Sequence, residues 1–128
     1  MNKLIIDVAN EKIFLMIITS SNIYNITHEN TKINYEKLTI IINDFLLSKN
    51  LKIADIGVIY INIGLGSFAG IRNSMSVVKA FNVAKNIDYY CYNLHDFKDE
   101  KDLSYESIPN LCKKYKIKKN LINPIYIS

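Results

Sequence analysis

The first part of the chain carries apolar residues in short runs separated by turn-forming residues. Residues 3–8 form a nearly continuous apolar run, and residues 13–19 form a second. In residues 22–27 the apolar Ile23 and Ile26 alternate with polar neighbours around Tyr24. Short runs of this kind, rich in β-branched residues and bounded by Asn and Ser, are typical of β-strands. The pattern predicts three antiparallel strands, the first two joined as a hairpin.

The apolar period changes to that of a helix after residue 34. The apolar residues there recur at i, i+3, i+4, i+7 and i+8: Leu38, Ile41, Ile42, Phe45 and Leu46. This is the spacing of one helix face. We expect a helix over residues 34–49, with Asn50 as its C-terminal stop.

Three further segments complete the predicted fold. Residues 56–63 are apolar, β-branched and flanked by glycine, which indicates a central strand. Residues 71–85 have a helical apolar period, and residues 88–92 supply a last strand parallel to the fourth. The resulting order β-β-β-α-β-α-β is that of the ribonuclease H-like or actin-like (ASKHA) half-domain. The predicted fold class is therefore α/β, with helices on the face of a mixed sheet.

Length and composition limit the chain to one core. At 128 residues and 49% hydrophobic, it can bury one core but not two independent ones. We assign residues 1–94 to an actin-like domain, and residues 95–128 to a reduced C-terminal segment that packs on it or extends it. Within that segment we expect a short helix over residues 103–115, interrupted near Pro109, and an edge strand at residues 123–127.

Signals for a membrane span, a secretory leader or a zinc site are missing from the sequence. No apolar run reaches the roughly 20 residues that a membrane span requires. Asp7 and Glu11 interrupt the first apolar residues, where a leader needs a continuous run. Cys91 and Cys112 have no His or second Cys at ligand spacing, which indicates neither a metal site nor a disulfide framework. We expect a cytoplasmic protein with no membrane contact.

Positive charge is concentrated near the C-terminus. The formal net charge is +4, and five lysines occur there with no acid among them: Lys113, Lys114, Lys116, Lys118 and Lys119. Such a run is more often a solvated face than a nucleic-acid site when it lacks interleaved arginines and aromatic residues, and Tyr115 is the only aromatic residue within it. These lysines are nevertheless the candidates for any contact with nucleic acid.

A glycine-rich segment lies between the predicted central strand and the second helix. It reads Gly64-Leu65-Gly66-Ser67-Phe68-Ala69-Gly70-Ile71-Arg72. Glycines there let the backbone turn sharply and approach another group closely. A dinucleotide fingerprint would need a glycine where Ala69 stands, and a P-loop would need Gly-Lys-Ser/Thr, which does not occur. Arg72 is the only arginine in a chain otherwise limited to lysine, which indicates that the planar, multiple donors of a guanidinium group are needed at this position. The alternative is that Arg72 only forms an ion pair with a nearby acid.

The segment resembles the glycine-rich signature of the TsaB (YeaZ) family, G-x-G-S-F-T-G-x-R, between a strand and a helix. Ala69 replaces the threonine, and the matching residues are Gly64, Gly66, Ser67, Phe68, Gly70 and Arg72. Supporting matches run over residues 3–94, and Pro124-Ile125-Tyr126 resembles the family's closing Pro-x-Tyr. Members of the family usually carry a longer second domain, so the resemblance implies a truncated form.

The resemblance implies a non-catalytic scaffold in the formation of N6-threonylcarbamoyladenosine in tRNA. The chain would pair with a TsaD-like catalytic subunit as a heterodimer, and a TsaE-like ATPase is a further implied partner. We expect no catalytic residue, metal or cofactor in this chain. Asp7 precedes Val8 and Ala9, which offer no hydroxyl to a phosphate, and a turn role at the first hairpin suits it better. Contact with tRNA would be indirect or through the C-terminal lysines.

Both predicted helices carry apolar residues on more than one side. Ile40 and Leu47 project away from the core stripe of the first helix, and small residues on the second would let another helix approach closely. The resemblance implies that these helices form a four-helix interface with the partner. The candidate interface residues are Ile40, Leu47, Val77, Ala80, Phe81 and Ala84. The alternative is that the C-terminal segment covers the second face.

Two other functions remain open. A small ribonuclease H-like nuclease or junction resolvase would suit the length, but it needs several carboxylates around two divalent ions. Asp7 could be one of them, whereas the fourth strand ends in Asn62 without an acid. A diverged homodimer that uses its lysine tail on tRNA is the other alternative.

Overall fold

The computed structural model describes residues 1–64 and 68–121, with Phe68 described by its backbone alone. Five strands form one mixed sheet in the order β3-β2-β1-β4-β5. They are β1 (Asn2–Asp7), β2 (Lys12–Ile18), β3 (Ile23–Glu29), β4 (Ile56–Asn62) and β5 (Asp88–Tyr92). β1, β2 and β3 are antiparallel neighbours, whereas β4 is parallel to both β1 and β5. The predicted α/β fold with a mixed sheet is confirmed.

The helix predicted over residues 34–49 is divided in two, and the prediction of one helix was wrong. α1 spans Lys32–Glu36 and α2 spans Leu38–Ser48. Thr31 caps α1 through its hydroxyl oxygen, which accepts from Asn34 N at 3.3 Å. The break at Lys37 follows because its N–H bonds three residues back, to Asn34 O at 3.0 Å. Local capping therefore adds a separate turn before the apolar period begins.

The stop predicted for α2 is confirmed at Asn50. Asn50 has a left-handed φ of 59°. Leu51 N donates to Leu46 O at 2.9 Å across the end of the helix. This is the closing turn that a left-handed residue makes, and Asn tolerates that backbone better than most non-glycine residues.

Apolar side chains fill both faces of the sheet. Leu4, Ile6 and Ile61 belong to the core on the face that carries α1, α2 and α3 (Phe68–Lys85). Ile5, Val58 and Tyr60 belong to a second core on the other face, with α4 (Ile108–Lys114). Adjacent residues alternate between the faces because successive side chains of a strand point in opposite directions. β1 and β4 are therefore buried on both sides, as a central strand requires.

The C-terminal segment supplies the cover of that second face. Phe97, Ile108, Leu111 and Cys112 are buried there. The helix predicted over residues 103–115 is interrupted near Pro109, as expected: a 3-10 turn spans Tyr105–Ser107 and α4 begins at Ile108. Pro109 lies in the first turn of α4, where its missing N–H removes no bond. The described part of this segment packs its apolar side chains on the face opposite α2 and α3. The strand predicted at residues 123–127 lies outside the described residues.

Asn120 closes the free edge of β5. Its backbone N–H donates to Tyr89 O at 2.7 Å, and its side-chain oxygen accepts from Tyr89 N at 2.9 Å. Its amide nitrogen also donates to Asp88 Oδ1 at 2.9 Å. Asn120 thus satisfies backbone groups that an edge strand would leave to solvent or to another chain.

The two cysteines of the chain do not form a disulfide with each other. Cys91 and Cys112 are free thiols, and each is buried in a different core. In the part of the chain that the structure describes, no helix is both long enough and apolar enough to cross a bilayer.

Candidate functional site

A polar centre lies where β1 and β4 end. Asp7 and Asn62 are in register on these parallel strands, and both are almost fully buried. Asn62 Nδ2 donates to Asp7 Oδ2 at 3.1 Å, and Asn62 Oδ1 accepts from Gly64 N at 2.8 Å. The Asn62 amide therefore connects the Asp7 carboxylate to the first residue of the glycine segment.

The Asp7 carboxylate is also held by residues outside β4. Tyr105 OH donates to Asp7 Oδ2 at 2.8 Å, and Ala9 N donates to Asp7 Oδ1 at 2.9 Å. Asn10 Nδ2 lies 3.3 and 3.4 Å from the two oxygens. The bond from Ala9 N confirms the turn role predicted for Asp7. Both oxygens are occupied by donors, as a buried carboxylate requires.

The C-terminal segment positions Tyr105. Its ring stacks on Phe14 of β2, with the ring centroids 3.8 Å apart and the planes 15° from parallel. Burial raises the pKa of Tyr105, and the neighbouring Asp7 carboxylate raises it further. The hydroxyl therefore stays protonated and donates to the carboxylate at neutral pH.

A cavity of about 230 Å³ adjoins this centre, between the first hairpin and the C-terminal segment. Tyr92 lines it, and its buried hydroxyl has no hydrogen-bond partner in the described part of the chain. Burial, and next the charge of Asp7, raise the pKa of Tyr92 well above its ordinary value. A second cavity of about 170 Å³ lies beside it, lined by Asn62, Gly64 and His95.

Gly64 is required by a close approach between β4 and β5. A Cβ at this position would lie 3.0 Å from Asn62 Oδ1 and 3.2 Å from Asn93 Cβ. Asn93 itself is fixed in a reciprocal pair with Asp96, since each backbone N–H donates to the other's side chain. The backbone at Gly64 therefore lies close to its neighbours, where a Cβ would be crowded.

The rest of the glycine motif is described in part. Gly66 and Ser67 lie outside the described residues, and so does the side chain of Phe68. The backbone of Phe68 begins α3, three residues earlier than predicted, and Gly70 is buried in its first turn. Arg72 is exposed, and within residues 1–64 and 68–121 it forms no ion pair. The alternative considered for Arg72, a pair with a nearby acid, is therefore not found in this part of the chain.

The outer side of α2 carries two exposed aliphatic residues. Ile40 is 59% exposed and Leu47 is 58% exposed, whereas Leu38, Ile42 and Phe45 of the same helix are buried. Ile40 and Leu47 are two turns apart and share one side of the helix, as predicted from the period.

The candidate interface residues of α3 have two different environments. Ala80 and Ala84 are exposed. Val77 and Phe81 are half-buried and pack against the chain's own core, so only part of each side chain could meet a partner. Val83, which is not among the candidate interface residues predicted from the sequence, is 77% exposed. Its apolar character and its position on the helical wheel were the signals that could have identified it.

Val83 belongs to an outward row of α3. At 100° per residue, Arg72, Ser76, Lys79 and Val83 fall within one narrow stripe, with Ala80 beside it. All five are exposed. Asn82 of the same helix is half-buried, and its side-chain nitrogen donates to Ile87 O at 3.0 Å. The outward row is therefore mixed, with two cations among small and apolar residues.

The donor set of the polar centre differs from that of a two-metal site. Within the described residues, no three side chains of His, Cys, Asp or Glu come together in a group that could hold a metal ion. Asn62 presents its N–H to Asp7, which fixes the carboxylate and adds no second negative charge. The arrangement joins two strand ends, the hairpin turn and the C-terminal segment into one hydrogen-bonded unit.

Comparison with known proteins identifies the fold. No protein-family model matches the sequence, and no curated protein matches it either. Among solved structures, YeaZ from Pseudomonas aeruginosa superposes with a TM-score of 0.66 at 16% identity. A second structure, of a protein with similarity to peptidase YEAZ from Pseudomonas aeruginosa, gives the same values. The match covers 72% of this chain and 43% of each of those chains, so the chain spans less than half of their length.

RuvC of Thermus thermophilus is a more distant structural neighbour. One RuvC structure superposes with a TM-score of 0.53 at 8% identity, covering 97% of this chain and 85% of RuvC. RuvC in complex with a Holliday junction substrate gives the same TM-score and covers 77% of this chain. Both neighbours agree with the ribonuclease H-like order of strands and helices seen here, and the higher score belongs to the YeaZ structures. The chain therefore has a YeaZ-like fold, as its glycine-rich segment predicted.

Proposed function

We propose that this chain is a non-catalytic scaffold subunit that pairs with a TsaD-like enzyme in the formation of N6-threonylcarbamoyladenosine in tRNA. One observation carries the proposal: a YeaZ-like fold whose α2 and α3 present exposed apolar side chains away from the sheet. The expectation of a cytoplasmic protein and of a TsaE-like ATPase as a further partner belongs to the same proposal.

The exposed side chains would give such an interface several kcal/mol. Ile40, Leu47 and Val83 are each more than half exposed. Burying an aliphatic side chain of this size contributes about 1.5–3 kcal/mol. Ala80 and Ala84 add little area, but their small size lets a second helix come close to the α3 backbone. Arg72 and Lys79 on the same row favour a partner surface that carries carboxylates.

The polar centre supports a structural rather than a catalytic role for Asp7. Ala9 N, Asn62 Nδ2 and Tyr105 OH donate to the carboxylate, and these hydrogen bonds join the hairpin turn, the end of β4 and the C-terminal segment to β1. A general base or a metal ligand must offer a free lone pair to its substrate or ion. Here the lone pairs of the Asp7 carboxylate accept hydrogen bonds from other residues of the chain. One of these residues, Asn62, in turn accepts a hydrogen bond from Gly64 N, at the start of the glycine segment.

The test is co-purification of the chain with the TsaD-like subunit of its host. Ala80→Glu and Ala84→Glu place a carboxylate in the proposed helix contact and should abolish the complex. Ala54→Glu is the matched control, because Ala54 is equally an exposed alanine but lies on the turn before β4 and not on α2 or α3. Each variant should keep the circular dichroism spectrum and the melting temperature of the wild type. Undiminished complex formation by both α3 variants would reject the interface.

A junction-resolving nuclease is the second candidate, because the fold also superposes on RuvC over nearly the whole chain. It requires cleavage of a four-way DNA junction that depends on Mg²⁺ and is lost in Asp7→Asn. The scaffold proposal expects no cleavage above background by the wild type.

Light scattering of the chain alone tests the third possibility, a homodimer. A stable dimer that does not bind the TsaD-like subunit would favour that alternative.

A further inference from the structure

An open cleft of about 560 Å³ lies on the sheet face opposite α2 and α3, between α4 and strands β4 and β5. Its walls include two tyrosines, Tyr60 and Tyr90, and three lysines, Lys3, Lys113 and Lys116. The cleft is separate from both the polar centre and the proposed partner surface. Whatever binds there could do so while α2 and α3 contact a partner.

The tyrosines form an aromatic wall. Tyr60 and Tyr90 are paired across β4 and β5, and their rings are 5.3 Å apart between centroids and 11° from parallel. Tyr60 is 7% exposed and is held in the second core, whereas Tyr90 is half-buried and reaches further toward solvent. A planar ligand could stack on the side of the Tyr90 ring that faces away from Tyr60, because the sheet and the Tyr60 ring fix Tyr90 in advance.

The lysines of the cleft are not neutralised within the chain. Lys3, Lys113 and Lys116 form no ion pair with any described acid, whereas Lys114 lies 3.1 Å from Glu100 and Lys119 lies 3.6 Å from Asp88. The C-terminal lysines are thus divided into paired and unpaired groups. Lys113 on α4 and Lys116 just after it belong to the unpaired group and line the cleft. Lys3 of β1 lines it from the opposite side.

The acid nearest to the aromatic wall along β5 does not cancel this charge. Asp88 precedes Tyr90 by two residues, so both side chains leave the strand on the same face. Its carboxylate is occupied by Lys119 Nζ at 3.6 Å and by Asn120 Nδ2 at 2.9 Å. Among the described residues that line the cleft there is no Asp or Glu.

We propose that this cleft binds a nucleoside phosphate unit, with the base on the ring of Tyr90, which Tyr60 supports from behind, and the phosphate on Lys3, Lys113 and Lys116. A row of cations beside an aromatic platform is the combination that holds nucleotides without reading their sequence. The lysine run has almost no aromatic neighbours along the chain, but the fold brings two tyrosines from the sheet to it. The unit could belong to a free nucleotide or to a single strand of RNA.

Fluorescence anisotropy of a labelled 12-nucleotide RNA measures this binding. Three lysine contacts predict a slope of about −2 for log K against log salt concentration. The triple variant Lys3→Gln, Lys113→Gln, Lys116→Asn should weaken binding at least tenfold and bring the slope close to zero. Asparagine is chosen at position 116 because this residue has a φ of 56°, which Asn tolerates.

Matched controls separate the site from general charge and from folding. Lys32→Gln, Lys85→Gln, Lys101→Gln removes the same charge from exposed positions away from the cleft, and should leave the slope unchanged. Tyr90→Leu should weaken binding about tenfold through loss of the stacking face. Tyr24→Leu, a change of a half-buried tyrosine on β3, should not. Thermal melting confirms that each variant is folded.

Competition identifies the source of the unit. Displacement of the RNA by AMP at similar concentrations assigns the cleft to free nucleotides, and displacement only by unlabelled RNA assigns it to a strand. Either result supports the proposal. Equal displacement by inorganic tripolyphosphate, together with an unchanged affinity in Tyr90→Leu, would overturn it. Failure of RNA and AMP to bind the wild type would overturn it as well, and would leave the partner surface on α2 and α3 untouched.

Discussion

Tyr105 donates a hydrogen bond to Asp7 across 98 positions of sequence, with 2.8 Å between the phenol oxygen and Oδ2. This bond ties the C-terminal segment to the end of β1. It also supplies a donor that the strands alone do not provide, since β4 contributes only the Asn62 amide to the carboxylate. The C-terminal segment is therefore part of the same hydrogen-bonded unit as the strand ends.

Tyr105→Phe should lower the free energy of unfolding by about 1.5–3 kcal/mol, the usual loss for a hydrogen bond to a charged group. The Phe14 stacking contact is retained, so the change isolates the hydroxyl. Tyr35→Phe is the control: Tyr35 is also half-buried, and its hydroxyl makes no described hydrogen bond. Urea denaturation measures both. Equal losses in the two variants would show that the bond to Asp7 contributes nothing specific.

Gly64→Ala should destabilise the protein by about 1–3 kcal/mol, because its Cβ would press on Asn62 Oδ1 and on Asn93. Gly57→Ala is the comparison within β4. There the three atoms nearest to the new Cβ all belong to the side chain of Met1, which is 86% exposed and can move aside. Gly57→Ala is expected to be neutral or slightly stabilising in thermal melts. Similar melting temperatures for the two variants would contradict the close approach at Gly64.

Asn120→Gly keeps the left-handed backbone but removes the side chain that bonds Tyr89 N and Asp88. We expect a loss of about 1–3 kcal/mol and faster hydrogen exchange at the Tyr89 amide. Asn50→Gly has the same backbone geometry at the end of α2 and no described side-chain bond. It should cost less than about 0.5 kcal/mol. The reverse order of the two losses would refute the edge-closing role of Asn120.

Stability should fall as the pH rises above about 9. Burial raises the pKa of Cys91 and of Cys112 from 9.0 to about 12, and burial also raises the pKa of Tyr60 from 10.0 to about 12. The unfolded chain therefore releases these protons first, so the stabilising contribution is complete below pH 9 and is lost between pH 9 and 12. Urea denaturation at intervals of one pH unit measures the slope. Cys112→Ala should reduce that slope, and a slope unaffected by this change would contradict the assignment.

Much of the fold follows from local sequence signals. The bounds predicted for β5 agree with the structure, because Ile87 is buried just before the strand and Asn93 begins a turn just after it. The boundary between α1 and α2 could not be predicted in the same way. It depends on the hydrogen bond between the Thr31 side chain and Asn34 N, which caps a separate first turn. Such a local bond competes with the single longer helix that the apolar period predicts.

The polar centre was only partly predictable. The turn at Asp7 is local and was expected, and the apolar run predicted the end of β4 to within one residue, at Ile63 where the structure has Asn62. The contact with Tyr105 was not, because it joins residues at opposite ends of the sequence. The same holds for the cleft, where the lysines were evident and the tyrosines that complete it come from other strands.

The central claim, that α2 and α3 form the surface held against a TsaD-like subunit, is tested most directly by cysteine labelling. The native thiols are buried and have raised pKa values, so a maleimide should react slowly with them. Val83→Cys places a reactive thiol on the proposed surface, and Asn110→Cys places one on the exposed side of α4. With the TsaD-like subunit added, we predict labelling of Val83→Cys to slow at least tenfold and labelling of Asn110→Cys to stay unchanged. Equal labelling of Val83→Cys with and without the partner would contradict the account.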